Sequence, residues 1–131
     1  MTSIFSPIPF VAHSGATLPF KIDCDGLTDD DIAALAAIAV RRLPSFSNAV
    51  GIPRGGDRLA AALQRHATHI NRHPFLIVDD VLTAGGSMTE FHNRFSIPPV
   101  GLVIFSRIDL AADPALSWIR PIFTLAPWIR K

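Results

Sequence analysis

Apolar residues recur every three or four positions between Thr28 and Pro44, which predicts an amphipathic helix. Its apolar face consists of Ile32, Leu35, Ala36, Ala39 and Leu43. Thr28 and Asp31 have the spacing of a capping box, with aspartate in place of the usual Glu or Gln. Asp29–Asp31 place negative charge in the first turn, where the helix dipole favours it, and Pro44 ends the helical pattern.

After Pro44 the order strand, turn, helix is predicted twice, and two more strands follow. The predicted strands are Leu18–Asp23, Ala49–Ile52, Phe75–Val78, Val100–Phe105 and Pro121–Leu125. The predicted turns are Pro53–Gly56 and Asp79–Gly86, and the helices after them run from Asp57 to about His66 and from Ser87 to about Phe95. Strands without a polar side that alternate with helices indicate an α/β protein with a parallel sheet. Ligands of such sheets bind outside the carboxyl ends of the strands, where both glycine-rich turns fall.

The composition fits one domain of this class: 131 residues, 49% hydrophobic and 18% charged, with a formal net charge of +1. No basic run exceeds the pair Arg41-Arg42, so we expect no nucleic-acid partner. The longest apolar run, Ile32–Val40, is far shorter than the roughly 20 residues that cross a bilayer, so we expect no membrane contact. No secretory signal is visible and Cys24 is the single cysteine, which favours a cytoplasmic protein.

Two adjacent carboxylates and a glycine-rich turn stand in the run VDDVLTAGGS, after the predicted strand Phe75–Val78. The small residues between Thr83 and Ser87 let backbone N–H groups approach a ligand closely, and the helix start favours an anion. Carboxylates repel a phosphate, so Asp79 and Asp80 are expected to meet sugar hydroxyls or a divalent cation. A sugar phosphate fits both parts of this run, because it has hydroxyls for the carboxylates and a phosphate for the turn. The alternative is a pair of solvated strand-end acids beside a plain turn.

The turn GIPRGG is a second candidate anion site. Gly55 and Gly56 expose backbone N–H groups, and the guanidinium of Arg54 suits phosphate or pyrophosphate. Such a turn also occurs as a simple connection between elements, without a binding role. Its matching position one strand away from the acid pair favours the binding interpretation.

These residues resemble the type I phosphoribosyltransferases, in which an apolar strand, two acids and a T-x-G-[GT]-[ST] turn bind phosphoribosyl pyrophosphate. VDDVLTAGGS fits this motif across its whole length, and the resemblance covers roughly residues 11–125. It implies that Asp79 and Asp80 hold the ribose hydroxyls, and that Mg²⁺ is bound through the ligand, with the same two acids as its candidate protein ligands. The residues implied to bind ribose and 5′-phosphate are Asp79, Asp80, Val81, Thr83, Ala84, Gly85, Gly86 and Ser87.

The resemblance also assigns GIPRGG to the family's pyrophosphate loop, Pro53, Arg54, Gly55 and Gly56, with a cis peptide bond joining Pro53 to Arg54. Arg54 and the two acids are then the catalytic candidates. The enzymes for 6-oxopurines usually carry an aspartate where this chain has Thr83, which argues against that branch.

Within the family, AHSGATLPFKID resembles the N-terminal Ser-Gly signature of the orotate branch. The resemblance implies a single phosphoribosyltransferase-like domain, with a small hood at residues 1–27 and a core at residues 28–131. The candidate contacts to the base or the hood are His13, Ser14, Lys21 and Arg107. Lys21 and His13 are equally compatible with an exposed strand residue and a plain turn residue.

One departure from the family concerns the segment before the second strand. The family normally inserts another strand and a long loop there, which closes over the substrate and excludes water. Here only about Gln64–Pro74 is available, too short for both pieces. Within it, RHATHINRH is either a shortened remnant of that lid or an unrelated surface segment.

Histidine and aromatic residues supply weaker candidates. His66, His69, His73 and His92 favour a surface interpretation over a metal site, because no nearby acid or cysteine completes a ligand set. Trp118 and Trp128, with Phe123, favour core or dimer contacts over base stacking.

The favoured hypothesis is a Mg²⁺-dependent phosphoribosyltransferase that transfers the phosphoribosyl group to a pyrimidine-like or other small base and releases pyrophosphate. The alternative is a sensor that binds phosphoribosyl pyrophosphate or a nucleotide without turnover, which the short lid favours. A phosphoacceptor of the response-regulator type is a third class, but it predicts no Gly-Gly-Ser turn after the aspartates. The incomplete lid and the apolar C-terminus favour a homodimer.

Overall fold

A computed structural model describes residues 5–6, 10–11, 17–18, 21–22, 24–83 and 85–124. The strands in these ranges are β1 (Phe5–Ser6), β2 (Phe10–Val11), β3 (Thr17–Leu18), β4 (Lys21–Ile22), β5 (Ala49–Gly51), β6 (Leu76–Leu82), β7 (Val100–Ser106) and β8 (Ile119–Thr124). The α-helices in these ranges are α1 (Asp29–Val40), α2 (Asp57–Gln64) and α3 (Gly86–His92). Short 3-10 turns lie at Cys24–Gly26, Leu110–Ala112 and Pro114–Leu116.

Four parallel strands in the order β5-β6-β7-β8 form the main sheet, which confirms the α/β architecture predicted from the sequence. Helices α1 and α2 cover one face, where their apolar residues pack with Val78, Leu102 and Ile104. Helix α3 and the 3-10 turns cover the other face, around Ile77 and Val103. Both faces of the sheet are therefore buried, which explains why its strands contain continuous apolar runs.

Helix α1 begins at the predicted capping box. The Thr28 hydroxyl accepts from the Asp31 N–H at 3.1 Å, and the Asp31 carboxylate accepts from the Thr28 N–H at 2.9 Å. The helix ends at Val40, several residues before Pro44. The reason lies in the last strand, because the Arg42 side chain donates to the Ile122 carbonyl at 3.3 Å and the Arg120 side chain donates to the Arg42 carbonyl at 2.7 Å. The chain leaves the helix to make these contacts.

The predicted end of the second core strand was wrong. The turn was expected to begin at Asp79, but β6 continues through both aspartates to Leu82. Strand β7 pairs with β6 as far as Leu82 and Ser106, so the backbone stays extended beside its neighbour. Polar side chains mark where the strand reaches the open edge of the sheet and leave its backbone pairing intact.

The N-terminal region contributes two small antiparallel pairs, β1 with β4 and β2 with β3. A single strand over Leu18–Asp23 was predicted, but Leu18 and Lys21–Ile22 belong to different pairs. Residues 19, 20 and 23 lie outside the described ranges. The structure therefore confirms strand at Leu18 and at Lys21–Ile22, and the rest of the predicted range is outside the described residues.

The short connector between α2 and β6 lies at the amino ends of the strands. The Thr68 N–H donates to the Phe46 carbonyl at 2.9 Å, and the His69 N–H donates to the Ser47 carbonyl at 3.0 Å. Both acceptors precede β5, and the connector leads directly into β6. Since the strands are parallel, this edge is opposite the one where the glycine-rich turns lie, so RHATHINRH is not a remnant of a lid over those turns.

Candidate functional site

The carboxyl edge of the sheet has a step between β5 and β6. Strand β5 ends at Gly51, which is paired with Val78, whereas β6 extends four residues further to Leu82. The Ile52 N–H donates to the Val78 carbonyl at 2.8 Å, and the chain then turns through Pro53. The Pro53–Arg54 peptide bond is cis, as the family resemblance implied.

The two glycine-rich turns meet at this step. A Cβ added to Gly55 would overlap the Asp80 carboxylate, and one added to Gly56 would overlap the Val78 carbonyl. Both glycines are therefore required by close contact rather than by an unusual backbone angle. The structure thus brings the GIPRGG turn into direct contact with Asp80. The expectation that Gly56 exposes its backbone N–H was wrong, because Gly56 is buried and its N–H donates to the Ile52 carbonyl at 2.9 Å. Arg54 and Pro53 at the tip of the turn are exposed.

Asp79 and Asp80 are half-buried and share a local hydrogen-bond pattern. Each accepts a hydrogen bond from the next backbone N–H, from Asp80 at 2.8 Å and from Val81 at 2.7 Å, through its Oδ1 atom. Burial raises the pKa of Asp79 from 3.8 to about 7, with a further contribution from the neighbouring Asp80. The Asp80 N–H opposes this rise because it stabilises the ionised Asp79 carboxylate. As the pH falls through about 7, Asp79 therefore becomes protonated and the pair loses one of its two negative charges.

The second turn ends at Gly85, which has a left-handed backbone conformation and packs against the side chain of Leu116. Gly85 has a φ of 84°, and a Cβ placed there would lie 3.1 Å from the side chain of Leu116. Thr83, Gly86 and Ser87 are exposed around it, and Val81 is half-buried. Ala84 lies outside the described residues. The turn thus presents small residues and two hydroxyl-bearing side chains to solvent beside the acids.

Leu116 was not predicted as part of this region. It belongs to the 3-10 turn Pro114–Leu116 between β7 and β8 and is buried. Apolar residues of this kind carry no chemical motif, so the sequence offered no signal for its contact with Gly85. Its place in the site follows from the short crossover between β7 and β8.

Arg107 follows β7 and lies beside the start of the second turn. Its backbone N–H donates to the Leu82 carbonyl at 2.9 Å, and its side chain is almost fully buried. Burial lowers the pKa of this guanidinium from its usual value. Ser106, just before it, is also buried and donates to the Ile108 carbonyl at 2.8 Å, which holds the strand end in its turn. Arg107 therefore lies at the predicted edge of the sheet.

The other predicted residues lie away from this edge or outside the described ranges. His13, Ser14 and Trp128 are not among the described residues, and for Lys21 the description extends to its strand pairing with Ser6. The Nδ1 atom of His73 is 2.8 Å from the Thr68 hydroxyl, inside the connector.

Other histidine and aromatic predictions fall on the core and the surface. The Trp118 ring contacts the His92 ring in a tilted arrangement, with ring centroids 4.6 Å apart, and packs against the α3 face of the core. Phe123 is partly exposed and its ring contacts Phe105. Among the residues that the structure describes, no three His, Cys, Asp or Glu side chains group as a metal site. In the same part of the chain no helix has the length and apolar character to span a membrane.

Solved structures with the same arrangement of elements are orotate phosphoribosyltransferases and a related synthase. The Aeropyrum pernix orotate phosphoribosyltransferase matches with a TM-score of 0.72 at 21% identity, over 95% of this chain and 90% of that one. The Mycobacterium tuberculosis H37Rv orotate phosphoribosyltransferase in complex with inorganic phosphate matches with a TM-score of 0.65 at 17% identity, over 92% and 88%. The chain has the type I phosphoribosyltransferase fold.

The Leishmania donovani UMP synthase matches the phosphoribosyltransferase fold of this chain with a TM-score of 0.69 at 17% identity, over 95% of this chain and 34% of the synthase. No family model matches the sequence, and no curated protein matches it either. The likeness to phosphoribosyltransferases is therefore one of fold, at low sequence identity.

Proposed function

We propose that this chain binds phosphoribosyl pyrophosphate at the step between β5 and β6 and transfers its phosphoribosyl group to a small, pyrimidine-like base. The observation that carries the proposal is the contact between Gly55 and Asp80. It brings the turn that carries the exposed guanidinium of Arg54 directly beside the Asp80 carboxylate. A ligand with both hydroxyl and phosphate groups on one small ring can bind the carboxylate through its hydroxyls and the turn through its phosphates.

The ribose is assigned to the acid pair. The Oδ1 atoms of Asp79 and Asp80 already accept backbone hydrogen bonds, and carboxylates have further acceptor capacity for two neighbouring hydroxyls. The exposed turn residues Thr83 and Ser87 are assigned to the 5′-phosphate, with Gly85 setting the direction of the turn. Arg54 is assigned to pyrophosphate because a guanidinium binds two phosphate oxygens at once.

Two adjacent carboxylates also fit a magnesium ion that a pyrophosphate ligand holds in part. Such an ion would supply charge neutralisation of the leaving pyrophosphate. The chain's own contribution is to orient the ribose and to hold the leaving group with Arg54. In the transfer, a base nitrogen forms a bond to the ribose C1 carbon, while the bond from C1 to the pyrophosphate oxygen breaks and pyrophosphate leaves with the electron pair. The proton of the base nitrogen is released to solvent.

Base recognition is assigned to the N-terminal hood region and to Arg107. The buried position of Arg107 beside the second turn supports this, since a cation there suits a base with an anionic or strongly polar substituent. The hood assignment of Lys21, His13 and Ser14 remains a proposal that follows from the family resemblance.

The competing function is a sensor that binds the same ligand without turnover. The position of the connector favours it, because residues 68–69 are bonded at the amino edge and leave the carboxyl edge without a lid from that segment. A reactive sugar centre needs water to be excluded. The proposed transferase therefore requires the hood, or a partner chain, to cover the ligand.

Calorimetry with phosphoribosyl pyrophosphate and Mg²⁺ tests the site, and pyrophosphate release across a panel of bases separates the two functions. We expect Asp80→Asn to weaken binding by about tenfold or more, roughly 1.4 kcal/mol. Glu90→Gln, an exposed acid on α3, is the matched control and should bind as the wild type does. Binding without release for any base would establish the sensor, and absence of binding would refute both functions.

A further inference from the structure

The amino edge of the main sheet carries apolar side chains that the core does not bury. Ile70 is 38% exposed, Phe75 36% and Ile97 47%. They belong to the connector between α2 and β6 and to the linker between α3 and β7. The two segments meet at this edge, because the Val100 N–H donates to the Phe75 carbonyl at 2.9 Å and the rings of Phe75 and Phe95 have centroids 5.0 Å apart. The three exposed side chains therefore lie along one edge.

The connector holds Ile70 in a fixed turn. His69 has a φ of 58°, a left-handed conformation that residues with a Cβ rarely adopt, and its N–H donates to the Ser47 carbonyl at 3.0 Å. The Thr68 hydroxyl accepts from the Ile70 N–H at 3.2 Å and lies 2.8 Å from Nδ1 of His73. The His73 N–H closes the turn by donating to the Ile70 carbonyl at 2.9 Å. Ile70 is thus exposed on a hydrogen-bonded backbone.

The linker restrains Ile97 by a different device. Pro98 and Pro99 follow it, and a proline ring fixes its own φ and restricts the residue before it. An apolar side chain on a restrained backbone loses less conformational freedom on binding than one on a loose loop. Restrained apolar side chains at the surface, beside a residue in a strained conformation, indicate a binding surface rather than a packing fault.

The charge around these apolar side chains is positive. Residues 65–75 and 93–99, which form the connector and the linker, contain no acidic residue. The exposed basic side chains in these segments are Arg65, His66, His69, Arg72 and Arg94. Arg94 lies 3.5 Å from Glu90 of α3, whereas Arg72 has no ion pair or side-chain hydrogen bond with any described residue. A partner for this edge therefore has to bring negative charge as well as apolar surface.

We propose that this edge is a docking surface for an acidic segment of another protein, one that also carries apolar side chains. Its carboxylates would pair with Arg72 and Arg94, and its apolar side chains would cover Ile70, Phe75 and Ile97. A second copy of the chain docked through the same surface would place like charges against each other. A nucleic acid would pair with the arginines and leave the isoleucines uncovered.

The docking surface does not rest on the proposed ligand site. Gly55 and Asp80 lie at the carboxyl edge of the sheet, at the opposite ends of the strands. A partner at the amino edge leaves the carboxyl edge open to a small ligand. Variants of the docking surface should therefore bind phosphoribosyl pyrophosphate as the wild type does, and the two proposals fail independently of one another.

Selection from a library of random peptides displayed on phage tests the surface, with the wild type as the target and R72E/R94E for counter-selection. We expect the enriched peptides to contain both acidic and apolar residues. Synthetic labelled copies of these peptides, measured by fluorescence anisotropy, should bind R72E/R94E and I70S/I97S at least about tenfold more weakly than the wild type. Added salt should weaken the binding because exposed charge pairs are screened.

Two exposed residues of α1 supply matched controls. Ile38 is 39% exposed, so Ile38→Ser makes the same change as Ile70→Ser on another surface. Arg41→Glu likewise repeats the charge change of Arg72→Glu on an exposed arginine of that helix region. Both control variants should keep the wild-type affinity for the selected peptides. Circular dichroism of every variant separates lost binding from lost folding.

Several results would overturn the proposal. They are no enrichment over the counter-selection, enriched peptides without acidic residues, and equal affinity of the wild type and the surface variants. Short single-stranded RNA and vesicles of phosphatidylglycerol and phosphatidylcholine are measured in parallel. Tighter binding of either than of the best peptide, lost in R72E/R94E, would assign the surface to that other class of partner. Self-association that the same variant abolishes would assign it to a second copy of the chain.

Discussion

Asp79 is the residue whose ionisation the fold changes most clearly among those described. Burial raises its pKa from 3.8 to about 7, and the adjacent Asp80 adds to the rise. Because folding raises this pKa, protonated Asp79 favours the folded state. That contribution is complete below the ordinary pKa of 3.8 and is lost as the pH rises through about 7.

Asp79→Asn should therefore make stability less dependent on pH. The amide keeps the shape of the side chain and has no charge to desolvate. Between pH 3.8 and about 7, the melting temperature of the wild type should fall more than that of the variant. Differential scanning fluorimetry at several pH values measures this, and parallel curves for the two proteins would show that Asp79 is not the group responsible.

The same coupling predicts an effect of Asp80 on its neighbour. Asp80→Asn removes the negative charge and the carboxylate that both raise the pKa of Asp79, so that pKa should fall below about 7. It should stay above 3.8 because burial, the largest cause, is unchanged. Carbon NMR titration of the Asp79 carboxyl group reports the midpoint directly. A midpoint that stays near 7 would mean that burial alone sets it.

The contact between Gly55 and Asp80 gives a second test at this scale. Gly55→Ala should weaken phosphoribosyl pyrophosphate binding by about tenfold or more, because the added Cβ overlaps the Asp80 carboxylate and displaces it. Gly86→Ala is the control for folding: beyond its chain neighbours and its own helix backbone, no atom of the described residues lies within 4 Å of its added Cβ. Its melting temperature should equal or exceed that of the wild type, since Ala is about 1 kcal/mol better than Gly in a helix. Unchanged binding in Gly55→Ala would refute the ribose assignment of Asp80.

At the scale of elements, α2 is tied to the start of the edge strand β5 through Gln64. Its side-chain oxygen accepts from the Ala49 N–H at 2.7 Å, and its amide nitrogen donates to Asn48 at 3.0 Å. Ala49 is at the outer edge of the sheet, where no further strand is available to it among the described residues. The Gln64 side chain therefore supplies the hydrogen-bond acceptor that a neighbouring strand would otherwise provide to Ala49.

Gln64→Leu should lower the free energy of unfolding by about 1–3 kcal/mol, because the half-buried Ala49 N–H loses its acceptor. Chemical denaturation with urea measures this, and Arg65→Gln, an exposed change one residue later, should stay within about 0.5 kcal/mol of the wild type. Equal stability of both variants would mean that water satisfies Ala49.

The sequence was informative about elements where local chemistry decides them. The capping box at Thr28 acts through short-range geometry, so the start of α1 could be predicted. Glycine-rich composition marked the positions of both turns, but the contacts that require Gly55 and Gly56 are with residues more than 20 positions along the chain. The end of α1 and the end of β6 depend on partners far along the chain, Ile122 and Ser106. Periodicity and polarity contain no information on those partners, and the same holds for Leu116 against Gly85.

At the scale of the whole molecule, the amino and carboxyl edges of the main sheet differ in the segments that they carry. The connector is bonded at the amino edge, whereas the acid pair and both glycine-rich turns lie at the carboxyl edge. Replacing Thr68–His73 by glycine and serine should therefore lower the melting temperature and leave the affinity for phosphoribosyl pyrophosphate unchanged. Calorimetry and thermal denaturation of one variant check both statements, and a loss of affinity in a folded variant would restore the connector as a lid.

Both outer strands of the main sheet are poor templates for a further strand. The Gly101 N–H donates to the Trp118 carbonyl, so alternate residues of β8 face β7 and Pro121 faces outward, where it has no N–H to offer. On the other side, Gln64 already occupies the outward N–H of Ala49. Each outer strand of the main sheet thus lacks an outward N–H that a stacked copy would need, which disfavours fibrillar aggregation through these two edges.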